Sequence, residues 1–168
     1  SLATEMVELA LSLKPESVCL VPENRKEVTT EGGLDIISNM ERSRDAVKAF
    51  TDAGIPTSMF IDPDEKQLEA SAEIGSPWVE LHTGSFARAW YDESKRATEL
   101  ETLRNGMEFG ISLGLRVNAG HGINYDNVEG AKHLDQVYEF NIGHSIISRS
   151  ITHGLAEAVQ TMRSRLND

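Results

Sequence analysis

The sequence predicts an α/β fold in which five parallel strands alternate with helices. Short apolar runs of strand length are separated by longer segments whose apolar residues recur at helical spacing. Every predicted helix-to-strand junction also carries Gly or Pro, the residues that end helices. Alternation of this kind indicates a parallel sheet covered by helices. The predicted strands are 18–21, 58–62, 78–82, 116–120 and 137–142.

Two architectures have this alternation: a five-stranded doubly wound sheet, and the last five strands of an eight-stranded barrel. Full barrels run to about 250 residues, whereas this chain has 168 and begins with a helical pattern that no strand precedes. We therefore favour a TIM (β/α)8 barrel. On this interpretation residues 1–168 are the C-terminal two-thirds of a single barrel domain, and the N-terminal strands are absent from the sequence.

The helices are predicted from apolar spacing and from the residues that end each segment. The first covers 2–13 and stops at Lys14-Pro15, and the second ends at Asp52. Further helices are predicted after Pro63, over about 94–112 and briefly over 126–132. One final helix is expected to carry a continuous apolar stripe at three- and four-residue steps. The stripe consists of Ile147, Ile151, Leu155, Val159, Met162 and Leu166.

Composition excludes several classes of function. The chain has 27 acidic against 16 basic residues, a net charge of -11, which argues against a nucleic-acid or anionic-membrane surface. Phosphate ligands stay possible, because backbone N–H groups can bind them locally. The only cysteine, Cys19, lies in an apolar run and is interpreted as a buried thiol in a reducing compartment. No apolar stretch approaches the ~18 residues of a membrane span, so we expect a cytoplasmic protein.

Histidines follow three of the predicted strands. His121 lies between Gly120 and Gly122, His144 follows Gly143, and His82 ends the third strand. In parallel barrels the ligand lies at the C-terminal ends of the strands, and glycine lets the backbone approach it closely. Histidine is also the side chain best suited to proton transfer near neutral pH. The pattern predicts an active-site rim, although each histidine could instead be satisfied by a neighbouring carbonyl.

Glu80 lies inside a predicted strand and shares a face with Trp78 and His82. A carboxylate in a buried strand must be paired or must have a shifted pKa. Glu80 is therefore a catalytic candidate, and a structural ion pair is the alternative. A metal site is not predicted, because the sequence has no H-x-x-x-H pair and no cysteine cluster.

The segment 22–33 is long for a connection between a strand and a helix. It is polar and ends in Gly32-Gly33, just after Thr29-Thr30. The threonine hydroxyls could bind a phosphate, and an ordinary flexible turn is the alternative. Long loops in compact domains are usually functional, so we expect this loop to take part in binding.

Five stretches resemble the pyridoxine 5′-phosphate synthase family. They run in the family's order along the chain and reach from near its beginning to the last helix. They are CLVPENR (19–25), EVTTEGGLD (27–35), ELHTG (80–84), VNAGHG (117–122) and NIGH (141–144). The resemblance implies a (β/α)8 barrel with added helices, assembled as an octamer. It also implies condensation of 1-deoxy-D-xylulose 5-phosphate with 3-amino-2-oxopropyl phosphate, with no metal or organic cofactor.

The resemblance also implies roles for individual residues. His121 matches the catalytic histidine that acts as proton donor, and Glu80 matches the glutamate that stabilises the transition state. Thr29 matches a contact to the deoxyxylulose phosphate. The family's Asn-x-Asp-His motif and its other acid–base residues, a histidine, an arginine and a glutamate on earlier strands, have no counterpart in this sequence. Those roles are therefore left unassigned.

The resemblance also implies which residues bind the substrates. Gly122, Gly143 and His144 match the site for the phosphate of the amino-ketone. The loop 22–30 resembles the flap that closes over the substrates. Two other functions fit the same glycine-rich strand ends: a barrel aldolase or isomerase acting on a sugar phosphate, and a non-catalytic phosphate-binding module if 168 residues are the whole protein.

Overall fold

The computed structural model describes residues 1–22 and 32–167. Its five strands form one parallel sheet whose spatial order follows the chain order from β1 to β5. The strands are β1 Val18–Leu20, β2 Thr57–Ile61, β3 Trp78–His82, β4 Arg116–Gly120 and β5 Phe140–Asn141. A doubly wound sheet reverses its strand order at a switch point. The described strands show no reversal, so the doubly wound alternative is wrong.

The helices follow the strands in the alternation that the sequence predicts. A short 3₁₀ turn, Ile37–Asn39, precedes the second helix. Asp64 and Asp92 cap the helices that follow them, because their carboxylates accept backbone N–H bonds in the first turn. The helices are α1 Thr4–Leu13, α2 Met40–Asp52, α3 Glu65–Glu73, α4 Gly84–Ala89, α5 Glu93–Ser112, α6 Val128–Ala131, α7 His144–His153 and α8 Leu155–Asn167.

The sheet curls around Glu80 in its central strand. Neighbouring strands lie about 4.8 Å apart, so in a flat sheet β1 and β5 would each lie about 10 Å from β3. Instead the Glu80 carboxylate accepts hydrogen bonds from Cys19 on β1 and from Asn141 on β5. The five strands and their helices therefore form a curled part of a barrel, which confirms the predicted fold class.

The hydrophobic core lies between the convex face of the sheet and the helices. Met59, Ile61, Val79 and Leu81 alternate along β2 and β3 toward this side and are fully buried. The helices contribute their own buried apolar side chains, among them Phe50, Leu68, Leu103 and Met107. The concave face carries Glu80, His82 and Asn118 instead, and this division leaves the polar side chains free for the site.

The fifth strand is shorter than predicted. The pattern predicts 137–142, whereas the regular ladder pairs only Ala119 with Phe140 and Gly120 with Asn141. Tyr138 N–H still donates to the Val117 carbonyl at 2.8 Å, so the chain runs beside β4 before the ladder begins. In the described part of the chain β5 is paired on one side only, and this limits its regular length.

The final helix is two helices, not one. Gly154 has φ 82° and ψ 151°, a conformation that only glycine adopts readily, and it separates α7 from α8. The predicted stripe is divided with it. Met162 is buried, whereas Ile147 and Ile151 are exposed. The spacing was helical on both sides of the glycine, but the prediction of one continuous apolar face was wrong.

The first strand also differs from its prediction. Its apolar run predicted burial on both faces, yet the Cys19 side chain is exposed on the concave face and Val21 is 37% exposed. A short edge strand leaves alternate residues outside the helix-covered core. The interpretation of Cys19 as a buried core thiol is therefore wrong.

Among the residues that the structure describes, no helix is long and apolar enough to cross a membrane.

Candidate active site

A cavity of about 580 Å³ opens at the C-terminal ends of the strands, on the concave side of the sheet. It brings together five of the six residues predicted for the site, which are Glu80, His121, Gly122, Gly143 and His144. The sixth, Thr29, lies outside the described residues, as does all but the first residue of the loop 22–30 that was interpreted as a flap. The rest of the lining comes from Cys19, Val21, Phe60, Ile123, Asn124, Asn141, Ile142 and Ser145.

Glu80 is the acidic group of the cavity, and it is 8% exposed. Its Oε2 accepts a hydrogen bond of 2.7 Å from Asn141 Nδ2 and one of 3.5 Å from the Cys19 thiol. The described residues place no cation against it, so they provide no structural ion pair of the kind considered above. Burial raises the pKa of Glu80 above its ordinary value, although the Asn141 and Cys19 hydrogen bonds oppose the rise. The two neutral donors thus favour the ionised form of Glu80, against the effect of burial.

Cys19 contributes a donor that the sequence did not reveal. Its partial removal from water, followed by the nearby Glu80 carboxylate, raises the pKa of the Cys19 thiol to about 12. The thiol therefore stays protonated at neutral pH and can donate to Glu80. Its position one residue inside β1 gave no signal of this contact, because the contact depends on the curvature of the sheet.

Gly120 makes room for the Glu80 carboxylate. A Cβ atom on Gly120 would lie 2.3 Å from Glu80 Oε1 and 2.9 Å from the Asn141 carbonyl. Gly122 has φ 77°, and a Cβ there would lie 2.7 Å from the Ala87 Cβ. Both glycines around His121 are therefore required by close approach, the first to Glu80 and the second to α4.

His121 has a left-handed backbone, with φ 83°, which is uncommon for a residue other than glycine. The Thr83 hydroxyl holds this turn, because its Oγ1 lies 2.7 Å from the Gly120 carbonyl and also bonds the His121 carbonyl. Burial lowers the pKa of His121, and the charges of His82, Arg88 and His144 lower it further. The imidazole is therefore mainly neutral at pH 7 and can accept a proton.

His82 is the histidine whose role the sequence left open. Its ring centroid lies 5.0 Å from that of His121, closer than the Phe60 ring at 6.3 Å. His82 is 3% exposed, and its Nδ1 lies 2.9 Å from Asp62 Oδ1. The hydrogen bond from His82 lowers the pKa of Asp62. The sequence did carry a signal for the Asp62–His82 contact. Asp62 directly follows β2, and His82 is the last residue of β3, the adjacent strand.

The N-terminus of α7 faces the same cavity through Gly143, His144 and Ser145. The first N–H groups of a helix lack intrahelical partners and attract anions. A Cβ built on Gly143 would meet no atom of the described residues within 4 Å, so these residues leave the space in front of this helix end open. The arrangement can accept a phosphate between the helix end and His121.

Within the described residues, no group of three or more His, Cys, Asp or Glu side chains is arranged to hold a metal ion. What the cavity offers is one carboxylate, two histidines and a helix N-terminus. These groups can move protons and bind an anionic group side by side.

The model of the family described as "Pyridoxal phosphate biosynthesis protein PdxJ" matches residues 1–168. The chain belongs to the PdxJ family. It is 53% identical over 162 residues to a pyridoxine 5′-phosphate synthase of Opitutus terrae, covering 96% of this chain and 65% of the relative. It is 50% identical over 159 residues to the synthase of Pseudoalteromonas translucida, covering 95% of this chain and again 65% of the relative.

The chain thus spans 65% of the length of these two curated relatives. Membership of the PdxJ family confirms the resemblance identified from the five sequence stretches. The two residues for which that resemblance implies a catalytic role, Glu80 and His121, line one cavity at the strand ends.

Proposed function

We propose that the protein carrying this chain is a pyridoxine 5′-phosphate synthase. It would condense 1-deoxy-D-xylulose 5-phosphate with 3-amino-2-oxopropyl phosphate to give pyridoxine 5′-phosphate, with release of inorganic phosphate and water. The observation that carries the proposal is the PdxJ match over residues 1–168, together with Glu80 and His121 facing one cavity. Residues 1–168 would be the C-terminal two-thirds of a single barrel domain.

The reaction needs proton transfer at several steps. An amine adds to a ketone, water leaves and phosphate is eliminated. A second addition, which forms a carbon–carbon bond, then closes the ring. His121 is proposed as the proton donor. The lowered pKa of His121 keeps the imidazole mainly neutral at pH 7 when no anion lies beside it. A phosphate bound beside it favours the imidazolium, because an opposite charge nearby raises the pKa of a histidine. His121 would therefore become an acid when the substrates are in place.

Glu80 is proposed to stabilise the transition state. Positive charge develops on nitrogen when an amine adds to a ketone and water departs. A buried carboxylate that has no cation among the described residues is available to that charge, and the interaction is stronger than it would be in water. The hydrogen bond from Asn141 holds the carboxylate in place and favours its ionised form.

Phosphate binding is assigned to Gly122, Gly143 and His144 for the amino-ketone and to Thr29 for the deoxyxylulose phosphate. Among the described residues, the space before Gly143 and the absence of a side-chain cap at the start of α7 support the first assignment. The loop 22–30 is proposed to close over the bound substrates and exclude water from reactive imines. No metal or organic cofactor is invoked.

The proposed setting is a cytoplasmic homo-octamer. Static light scattering on the protein expressed from its complete reading frame would measure the assembly, and a mass of about eight subunits is expected. A monomer would contradict this part of the proposal and leave the chemistry to be tested separately.

The function is tested by supplying both phosphate substrates and measuring pyridoxine 5′-phosphate by chromatography with mass detection. Product is expected only when both substrates are present, with stoichiometric release of inorganic phosphate. Conversion of the sugar phosphate without the amine would instead show an aldolase or isomerase. Binding of both phosphates without any conversion would show a phosphate-binding module.

A further inference from the structure

We infer that His82, held by Asp62, is a positioning residue that fixes the imidazole of His121. The inference rests on the proposed function in taking His121 as the reacting acid–base group. Its basis is a row of three side chains along the strand ends: Asp62 after β2, His82 at the end of β3 and His121 after β4.

The His121 ring is held by packing. Within the described part of the chain no hydrogen bond reaches its imidazole. The ring instead lies against His82, at 5.0 Å between centroids with an angle of 55°, and against Phe60 at 6.3 Å and 65°. The Thr83 hydroxyl fixes the backbone of His121 but not its side-chain angles. The orientation of the ring therefore depends on its two ring neighbours.

His82 is itself closely confined. Phe60 contacts its ring edge-on at 5.2 Å, and a Cβ on Gly84 would lie 2.4 Å from its Nε2, so α4 begins directly against the ring. Its Nε2 is buried and has no hydrogen-bond partner among the described residues. The bond from Nδ1 to Asp62 at 2.9 Å is then its polar anchor. Loss of Asp62 would remove this anchor and leave the ring held by packing alone.

Ring placement matters because the reacting groups must meet within a narrow geometry. A displacement of about 1 Å can cost roughly 10²-fold in rate. His82 also affects the protonation of His121. The groups that face His121 are His82 from β3, Arg88 from α4, and Glu80 and His144 across the cavity. His82, Arg88 and His144 each lower the pKa of His121.

The test uses the protein expressed from its complete reading frame and a double-mutant cycle. Asp62→Ala should reduce kcat by roughly 10- to 100-fold with little change in KM for either substrate. The same change in a His82→Phe background should have no further effect, because Phe has no Nδ1 to anchor. Asp62→Asn should restore most of the lost activity, since its amide oxygen still accepts the Nδ1–H bond.

Asp64→Ala is the matched control. Asp64 is a second aspartate on the same rim, but its carboxylate caps α3 through Lys66 and Gln67 N–H. This variant should lose thermal stability and keep kcat. If the role of Asp62 were purely structural, Asp62→Ala and Asp64→Ala would have similar effects on thermal stability and on kcat. An equal loss of kcat from Asp62→Ala in the wild-type and His82→Phe backgrounds would overturn the inference.

Titration of ¹⁵N-labelled histidine by NMR separates this inference from the proposed function. His82→Phe keeps an aromatic ring at position 82 and removes the imidazole that lowers the pKa of His121, so that pKa should rise. If the wild-type protein makes no pyridoxine 5′-phosphate, the proposed function fails, and the NMR result still decides the contact. An unchanged His121 pKa and unchanged ring shifts in His82→Phe and Asp62→Ala would overturn the positioning role.

Discussion

Gly120→Ala tests the close approach on which the cavity is built. Gly120 lies in β4, opposite His82 of β3 and Asn141 of β5, so pairing on both sides fixes its Cα. The new methyl group would lie 2.3 Å from Glu80 Oε1, whereas an ordinary contact begins near 3.4 Å. Because the backbone cannot yield without disturbing two ladders, we expect the Glu80 carboxylate to withdraw by about 1 Å.

Such a displacement has two measurable costs. It breaks the 2.7 Å bond between Asn141 and Glu80, and it moves the carboxylate from the position where it would meet the substrate nitrogen. Misplacement by about 1 Å predicts a fall in kcat of roughly 10²-fold. Overpacking of a tight site typically costs about 1–3 kcal/mol in the free energy of unfolding. Both quantities should change in the same variant.

The assay compares kcat and urea-induced unfolding for Gly120→Ala and Gly130→Ala. A Cβ on Gly130 would meet the Trp90 ring at 2.6 Å and Phe86 at 3.0 Å, behind the sheet and away from Glu80. The control should lose stability and keep kcat. A Gly120→Ala protein with kcat within about threefold of the wild type would refute the argument that Gly120 sets the position of Glu80.

Three other predictions concern the protons of the cavity. Asn141→Leu removes the hydrogen bond that lowers the pKa of Glu80, so the acidic limb of the pH profile of kcat/KM should move to higher pH. Cys19→Ala should move this limb less, because the Cys19 bond lowers the pKa of Glu80 less than the Asn141 bond does. Equal shifts in the two variants would contradict this order. His121→Asn should lower kcat by about 10²–10⁴-fold with substrate affinity nearly unchanged, and normal turnover would remove His121 from the chemistry. Inorganic phosphate should raise the pKa of His121 in an NMR titration, and a constant pKa at saturating phosphate would show that the anion binds elsewhere.

The architecture was predictable because it depends on local patterns. Apolar runs of strand length, helical spacing and Gly or Pro at the junctions together determine alternation, and alternation determines a parallel sheet. The errors arose where a non-local partner decides. The length of β5 depends on how many of its residues pair with β4 in the regular ladder. Gly154 lies within a regular apolar stripe, and spacing alone does not distinguish a tolerated helical glycine from one with positive φ.

The site was predictable in its positions and not in its contacts. Glycine beside histidine at two strand ends indicated the rim, and Gly120, His121 and Gly143 lie there. The bonds that tune the site join distant parts of the chain, since Asn141 and Cys19 are each 61 residues from Glu80. Those bonds exist because the sheet curls, and no periodicity in the sequence encodes curvature. The Asp62–His82 pair escaped prediction for a different reason: it joins the ends of β2 and β3, and spacing alone does not establish that these two strands are neighbours.

The two central groups of the cavity are tuned in opposite directions. Burial raises the pKa of the Glu80 carboxyl and lowers the pKa of the His121 imidazole, so the two values approach each other. The rise brings the pKa of Glu80 toward a working pH near 7, where general acid–base catalysis is most efficient, whereas the fall takes the pKa of His121 away from it. The hydrogen bond from Asn141 opposes the rise in the pKa of Glu80 and so favours the charged carboxylate. A bound phosphate acts on both groups in the same direction, because an anion favours the protonated forms of carboxyl and imidazole alike. Because the Asn141 hydrogen bond opposes protonation of Glu80, we expect a bound phosphate to act mainly on His121, raising its pKa so that the imidazole can serve as the proton donor of the proposed reaction.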